Sequence, residues 1–304
     1  MSSPTPIRWP DIAQVMAAAA LWGGLGPMAR ALYAGGFTAG EVAALRIGIC
    51  ALILIAAARL WLGAARVIWR REPGWAIAHA ALGVVAYNLC FFAAIHEIGV
   101  ARAVTLLYSA PIWALVFSYL VLGERPTTRQ IVLALVALAG VLLVVGVFDA
   151  AGALSPLGAL LGLAAGAAYA LYPVLGRRLM RRASPGAVMA SSFVLAAVML
   201  VFWPTSWHAV ARLVASASWS TIGLLAGISV IGTLLAYVLF TRGLTSVPAA
   251  TAGVVATVEP VVGILLAAVL FDERLAIDQW VGVALILIAS AASTPRRRRA
   301  TCAT

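Results

Sequence analysis

The sequence predicts an all-α integral membrane protein: ten transmembrane helices arranged as two inverted five-helix repeats, with both termini in the cytoplasm. Three observations carry that expectation. Of the 304 residues, 64% are hydrophobic and 10% charged, far from the globular norm of roughly 45–50% apolar and about 25% charged. Apolar stretches of about 20 residues, each long enough to cross roughly 30 Å of hydrocarbon as a helix, recur along the whole length. One stretch is also written twice: YSAPIWALVFSYLVLGERP at 108–126 returns as VEPVVGILLAAVLFDERL at 258–275, its proline and closing acidic-Arg pair each 149 positions later.

Taken in order, the expected spans cover about 12–33, 39–58, 75–95, 100–122, 128–147, 156–176, 185–203, 219–241, 247–271 and 278–293. Backbone amides in lipid must bond within their own segment or close into a barrel, and these runs lack the alternation of barrel strands. The first span follows the short polar opening MSSPTPIRWP, which has no small-residue cleavage site after it, so that helix is expected to stay. The organisation is then a cytoplasmic segment (1–11), a first five-helix repeat (12–147), a second (156–293) and a basic cytoplasmic tail (294–304).

The net charge is +11, which in a soluble protein would suggest nucleic acid as a partner. The placement of the arginines rejects that. With the N-terminus inside, sixteen of the twenty-one arginines fall on the cytoplasmic side, four on the other (Arg30, Arg102, Arg212, Arg274), and Arg46 lies within the second span. Such a bias is the positive-inside pattern, and the RRRR at 296–299 reads as part of it. Cys50, Cys90 and Cys302 show neither metal-ligand nor disulfide spacing.

Five helices per copy is an odd number, so the second copy enters the membrane inverted relative to the first. Tyr87 in AYNL pairs with Tyr237 in AYVL, and the opening helices align through mid-span Pro27 and Pro173. Inverted repeats with interrupted helices characterise secondary transporters, whose substrate sites lie near the midplane between halves.

At AALR (43–46), Pro111 with GER (123–125), EP (259–260), DER (272–274) and the arginine-rich joint of spans six and seven, the chain resembles the EamA-type, ten-helix branch of the drug/metabolite transporter superfamily. The resemblance covers nearly the whole chain. It implies a bacterial inner-membrane carrier, usually an exporter of amino acids or other small metabolites, with a central cavity between the halves.

The expected substrate-binding residues follow from intramembrane polarity and aromaticity. Glu259 comes first: a buried carboxylate costs several kcal/mol unless paired or protonated, and Pro260 loosens the helix beside it. It either binds substrate or a proton, or locks its helix to a neighbour. Arg46 is a partner for Glu259 or for the nearer Glu41, and favours a structural role. His79 is either a substrate contact or a packing residue. Trp22, Tyr87, Tyr108, Trp113, Tyr169, Tyr172 and Tyr237 lie well inside spans, where an aromatic wall with polar tips suits an amphipathic metabolite. Ser229, Thr233 and Tyr237 follow at i, i+4 and i+8, a polar stripe facing a cavity or another helix. Pro27, Pro111, Pro173 and Pro260 are the expected hinges, and Gly158, Gly162 and Gly166 form overlapping GxxxG units for close helix contact.

No P-loop, HExxH, GxSxG or metal-ligand cluster is present, so no cofactor, metal or enzymatic activity is expected. The expected function is export of amino acids, aromatic or bulky neutral ones among them, by alternating access. Broad drug or metabolite export coupled to protons through Glu259 is the alternative. The expected partners are a small-molecule substrate and the lipid bilayer.

Overall fold

The computed structural model describes residues 7–146, 155–216, 218–271 and 275–293. The DER triplet (272–274), the tail arginines, Cys302 and residues 1–6 lie outside the described residues. Within these, every regular element is a helix: α1 (Trp9–Gly23), α2 (Leu25–Ala34), α3 (Ala39–Ala56), α4 (Leu62–Arg71), α5 (Pro73–Ala80), α6 (Tyr87–Leu107), α7 (Ala110–Phe117) and α8 (Thr128–Val145) lead into the second half. There follow α9 (Pro156–Met180), α10 (Pro185–Val201), α11 (Pro204–Ala215), α12 (Trp219–Ala226), α13 (Ala236–Gly243), α14 (Ala249–Ala256), α15 (Val258–Phe271) and α16 (Ile277–Ser293).

The chain is a multi-pass membrane protein. Seven helical stretches of the described residues are long and apolar enough to cross a bilayer, or eight when α10 and α11, bent by 89° at their junction, count as one. Ala110–Leu122 and Ile277–Ser293 are shorter apolar helices.

Local chemistry sets the ends. Thr38 and Glu41 form a reciprocal capping box on α3, and Thr127 with Gln130 does the same for α8. Proline occupies the first position of α5, α9, α10 and α11, where its missing N–H has no intrahelical partner to lose. α5, a π-helical segment (Ala81–Ala86) and α6 run on as one long rod until Gly99, whose φ of 78° and ψ of 165° turn the chain back. Only glycine takes such a conformation without strain.

Several spans are broken inside the membrane. α1 and α2 part at Gly24, α6 and α7 at Tyr108–Ser109, and α14 and α15 at Thr257, which stands 149 positions after Tyr108. Pro27, Pro111 and Pro260 each lie in the first turn of the helix after a break, not in mid-helix as the sequence suggested. Pro173 marks no break: α9 is helical straight through it, clasped by α6, α7 and the π-helical segment before α6. Two further π-helical segments follow, Ser118–Leu122 after α7 and Gly227–Leu235 before α13, so a widened turn precedes both Tyr87 and Tyr237.

The amphipathic α4 and α11 were not expected; both fall between predicted spans. Close approach of glycines joins other helices. A Cβ on Gly162 would lie 2.7 Å from a Leu106 methyl, and one on Gly166 2.5 Å from the Ser109 hydroxyl, so the glycine face of α9 seats α6 directly. Gly140 and Gly282 stack in the same way, a Cβ on either meeting the other's carbonyl within 2.8 Å. We expect Gly162→Val to destabilise the bundle by about 1–3 kcal/mol through overpacking. Thermal unfolding in detergent measures it, and Gly48→Ala, where a Cβ meets nothing within 4 Å, should leave the midpoint unchanged or raise it.

Candidate functional site

The breaks converge on one place. A Cβ on Gly23 would sit 2.6 Å from the Glu259 carbonyl oxygen, so the α1–α2 junction rests on the first turn of α15. Beside it opens a cavity of about 360 Å³, within the usual range of roughly 300–1,000 Å³ for small-molecule sites. Its walls come from α1 and α2, from α3, from α6 and from the start of α15. Tyr33 and Val100 of its lining are exposed, and the first turn of α3 carries Glu41, whose carboxylate accepts from Arg212 at 3.0 Å.

Two charges face this space, Glu259 and Arg46. Glu259 is the second residue of α15, not a mid-helix residue, and the unpaired N–H groups and positive dipole end of a helix favour an anion there. The Tyr108 side chain is its hydrogen-bonding neighbour, and the Arg46 guanidinium is the cation whose field reaches it. Arg46 forms no direct ion pair with it among the described residues. Its Nη2 donates to Asn88 Oδ1 at 3.0 Å, and Asn88 Nδ2 donates to the Val84 carbonyl at 2.7 Å. That carbonyl lies in the first π-helical segment, so the widened turn and the amide together hold Arg46 in place. The expected Glu41 partner for Arg46 is a correction: Glu41 is taken by Arg212 and by the Thr38 cap.

Of the residues singled out from sequence, Trp22, Tyr87 and Glu259 line the cavity. Tyr108 is buried behind Glu259. Tyr169 packs between Trp22 (6.3 Å) and Tyr87 (5.2 Å), with a buried hydroxyl that meets no hydrogen-bond partner among the described residues. Beneath the cavity Tyr237 contacts Trp22 (5.1 Å), Phe193 (4.8 Å) and Tyr172 (5.0 Å), forming an aromatic floor. The Tyr172 hydroxyl is bonded to Thr241 at 3.1 Å.

The structure places the rest elsewhere. His79 is wholly buried between the Tyr172 carbonyl and the Ser192 hydroxyl. Trp113 stacks on Phe117 against Ala170 of α9. Ser229 and Thr233 do not make an open stripe. They sit buried in the π-helical segment Gly227–Leu235, where the i, i+4 register of an α-helix does not hold, and Thr233 bonds the carbonyl five residues back. The wall also includes Tyr33, Phe91, Phe92, Ile95 and Ile228, which sequence reading missed.

At the arginine-rich end the floor is closed by a polar cluster. Arg177 reaches the Leu244 and Val247 carbonyls and lies 3.4 Å from Glu124, while Asp11 accepts from Ser246 at 2.6 Å and pairs with Arg8 at 3.0 Å. Beyond it lies a vestibule of about 820 Å³.

Interrupted apolar helices around a cavity that holds a carboxylate and a guanidinium are the build of a membrane transporter. Comparison with known proteins narrows the class. The chain belongs to the EamA-like transporter family, whose model matches residues 10–146 and again 156–294. It is 33% identical to the uncharacterized transporter YwfM of Bacillus subtilis over 230 residues, 72% of this chain and 74% of that one. It is 27% identical to the threonine/homoserine exporter RhtA of Escherichia coli K12, across 95% of this chain and 92% of that one. A solved crystal structure shares the fold with a TM-score of 0.71 at 22% identity, covering 94% of this chain and 97% of the other.

The placement of His79 generates a prediction. His79→Leu removes two buried hydrogen bonds, to the Tyr172 carbonyl and to the Ser192 hydroxyl, which keeps its bond to the Val188 carbonyl, and should cost about 1–3 kcal/mol of stability. The KM for a transported solute should stay within about twofold of wild type, since the side chain makes no uniform-binding contact with it. Thermal unfolding and uptake kinetics read the two effects separately.

Proposed function

We propose that the protein is a secondary carrier of the bacterial inner membrane that exports small amino acids by alternating access. The observation that carries this reading is a single cavity with one carboxylate, one guanidinium and an aromatic wall. A zwitterion fits those charges: its ammonium group faces Glu259 and its carboxylate faces Arg46, which suits a bidentate guanidinium. The exporter name of the Escherichia coli relative supports amino acids over cationic drugs, for which a cavity guanidinium is repulsive.

In this reading the chain has ten membrane helices, two inverted halves and both termini in the cytoplasm. Breaks and widened turns at matching positions of the two halves support it. The cavity then opens to the outside, and Arg177, Glu124, Asp11 and Ser246 form the inner gate. Access alternates when the helix pieces after Gly24, Tyr108–Ser109 and Thr257 tilt about their breaks, with Pro27, Pro111 and Pro260 in the first turns that move. Energy comes from gradients, and Glu259 is the group through which a proton gradient couples.

Counterflow in proteoliposomes with threonine, homoserine, aromatic amino acids and cationic dyes tests the substrate class. Saturable movement of amino acids and not of dyes is expected; dyes alone moving would refute it. We expect Glu259→Gln to lower the rate at least about tenfold, as for loss of a charged contact. Undiminished transport by that variant, indifferent to a pH gradient, would remove the carboxylate from both roles. Arg177→Gln should loosen the inner gate, so that cysteines placed at Thr241 become reactive to polar maleimides when they are inert in the parent.

A further inference from the structure

At the arginine-rich end a further concavity adjoins the vestibule, with which it shares Arg181. It measures about 560 Å³ and is lined by Gly63, Arg66, Val67, Arg70, Arg71, Arg181 and Arg182. One wall is α4, a ten-residue amphipathic helix whose Ala65 is buried and whose Ile68 packs with Ala76, Leu179 and Val188. The opposite face of that helix turns Arg66 and Arg70, one helical turn apart, into the open. The other wall is the end of α9 and its turn into α10, carrying Arg181 and Arg182.

Five guanidinium groups thus crowd one small space. The nearby carboxylate is Glu72, and it is engaged: Arg182 bonds it directly and Arg178, seated over the Trp75 ring, lies 3.6 Å away. Arg66, Arg70, Arg71 and Arg181 meet no acidic side chain among the described residues. A charge cluster that satisfied topology alone could be dispersed along the loops, whereas this one is concave and only lightly countered. The N-terminus of α4 opens into the same space with no side-chain cap, and a Cβ on Gly63 would meet nothing within 4 Å. Its free N–H groups are further donors for an anion.

The rim says which anion. Leu60 is 88% exposed and Leu62 and Val67 are also open, which fits side chains that meet acyl chains. Trp69 and Trp75, the interfacial residue type, pack at the same level. A free phosphate would use the arginines and leave that apolar edge without a function; a phospholipid uses both.

We propose that this concavity binds the headgroup of one anionic phospholipid, a phosphatidylglycerol-type phosphodiester clasped by Arg66, Arg70, Arg71 and Arg181, with its acyl chains along Leu60, Leu62 and Val67. Basic pockets between helices at the membrane surface hold acidic lipids in this manner, and guanidinium matches phosphate oxygens in pairs. Bound there, the lipid bridges α4 to the α9–α10 turn and offsets the mutual repulsion of the arginines.

Native mass spectrometry of the delipidated protein tests it, with phosphatidylglycerol, phosphatidylcholine of the same chain length and inorganic phosphate added in separate arms. One phosphatidylglycerol should be retained in preference to phosphatidylcholine, and phosphate at equal concentration should neither bind nor displace it. The Arg66→Gln/Arg70→Gln/Arg181→Gln variant should bind phosphatidylglycerol about a hundredfold more weakly, on the scale of about 1 kcal/mol for each arginine near an anionic lipid. Arg125→Gln/Arg242→Gln, at the same end but outside the concavity, should bind as wild type does. Unfolding midpoints of both variants near that of wild type show that the fold is kept. Equal retention by the triple variant, equal loss in the double variant, or displacement by phosphate overturns the proposal.

Discussion

The structure depends on the contact between the glycine junction of α1 and α2 and the first turn of α15. In hydrocarbon a broken helix leaves backbone groups that no water can satisfy, so a break is tolerated only where protein covers it or a cavity meets it. Gly23 lets one broken helix lie directly on another, on the Glu259 carbonyl. At the other breaks a tight turn closes the helix end: the backbone N–H and the hydroxyl of Ser109 both donate to the Leu106 carbonyl, and those of Thr257 to the Val254 carbonyl, the hydroxyls at 2.6 Å. The breaks therefore cost little, and they create helix ends at mid-depth.

Those helix ends are what make two buried charges bearable. A carboxylate at the middle of a continuous helix would have only side chains to stabilise it. At the second position of α15, Glu259 also has the positive end of the helix, with Tyr108 beside it. Arg46 is held by Asn88, itself anchored to a carbonyl of the π-helical segment. Backbone irregularity on both sides thus fixes opposite charges around one space without letting them neutralise each other in a direct pair.

The class of protein was legible in the sequence because the bilayer constrains composition so strongly, and the prolines marked three real breaks because a missing N–H favours a first turn. Pro173 misled for the opposite reason: the neighbours packed around α9 keep the helix continuous. Spans broken by a single residue do not show in hydropathy, nor do amphipathic helices such as α4 that lie beside a span. Of the two readings of the Ser229–Thr233–Tyr237 stripe, burial among helices is the one seen, in a π-helical segment whose changed period nothing in the residue types announces. His79 looked like a site residue since its tertiary partners, the Tyr172 carbonyl and Ser192, are remote in sequence. The missed wall did carry a signal. Ala39, Val42, Ala43 and Arg46 follow at i, i+3, i+4 and i+7, and Tyr87, Phe91 and Ile95 at i, i+4 and i+8. Extending the helical face outward from each polar residue would have found them.

The central claim is that substrate lies between Glu259 and Arg46, and a substrate-bound structure tests it most directly. With threonine or another transported amino acid present, density is predicted in the cavity beside Trp22 and Tyr87, the ammonium group within hydrogen-bonding distance of Glu259 and the carboxylate within that distance of Arg46. An ordered ligand in the vestibule beyond Arg177, with the cavity between those two charges left unoccupied, would contradict it.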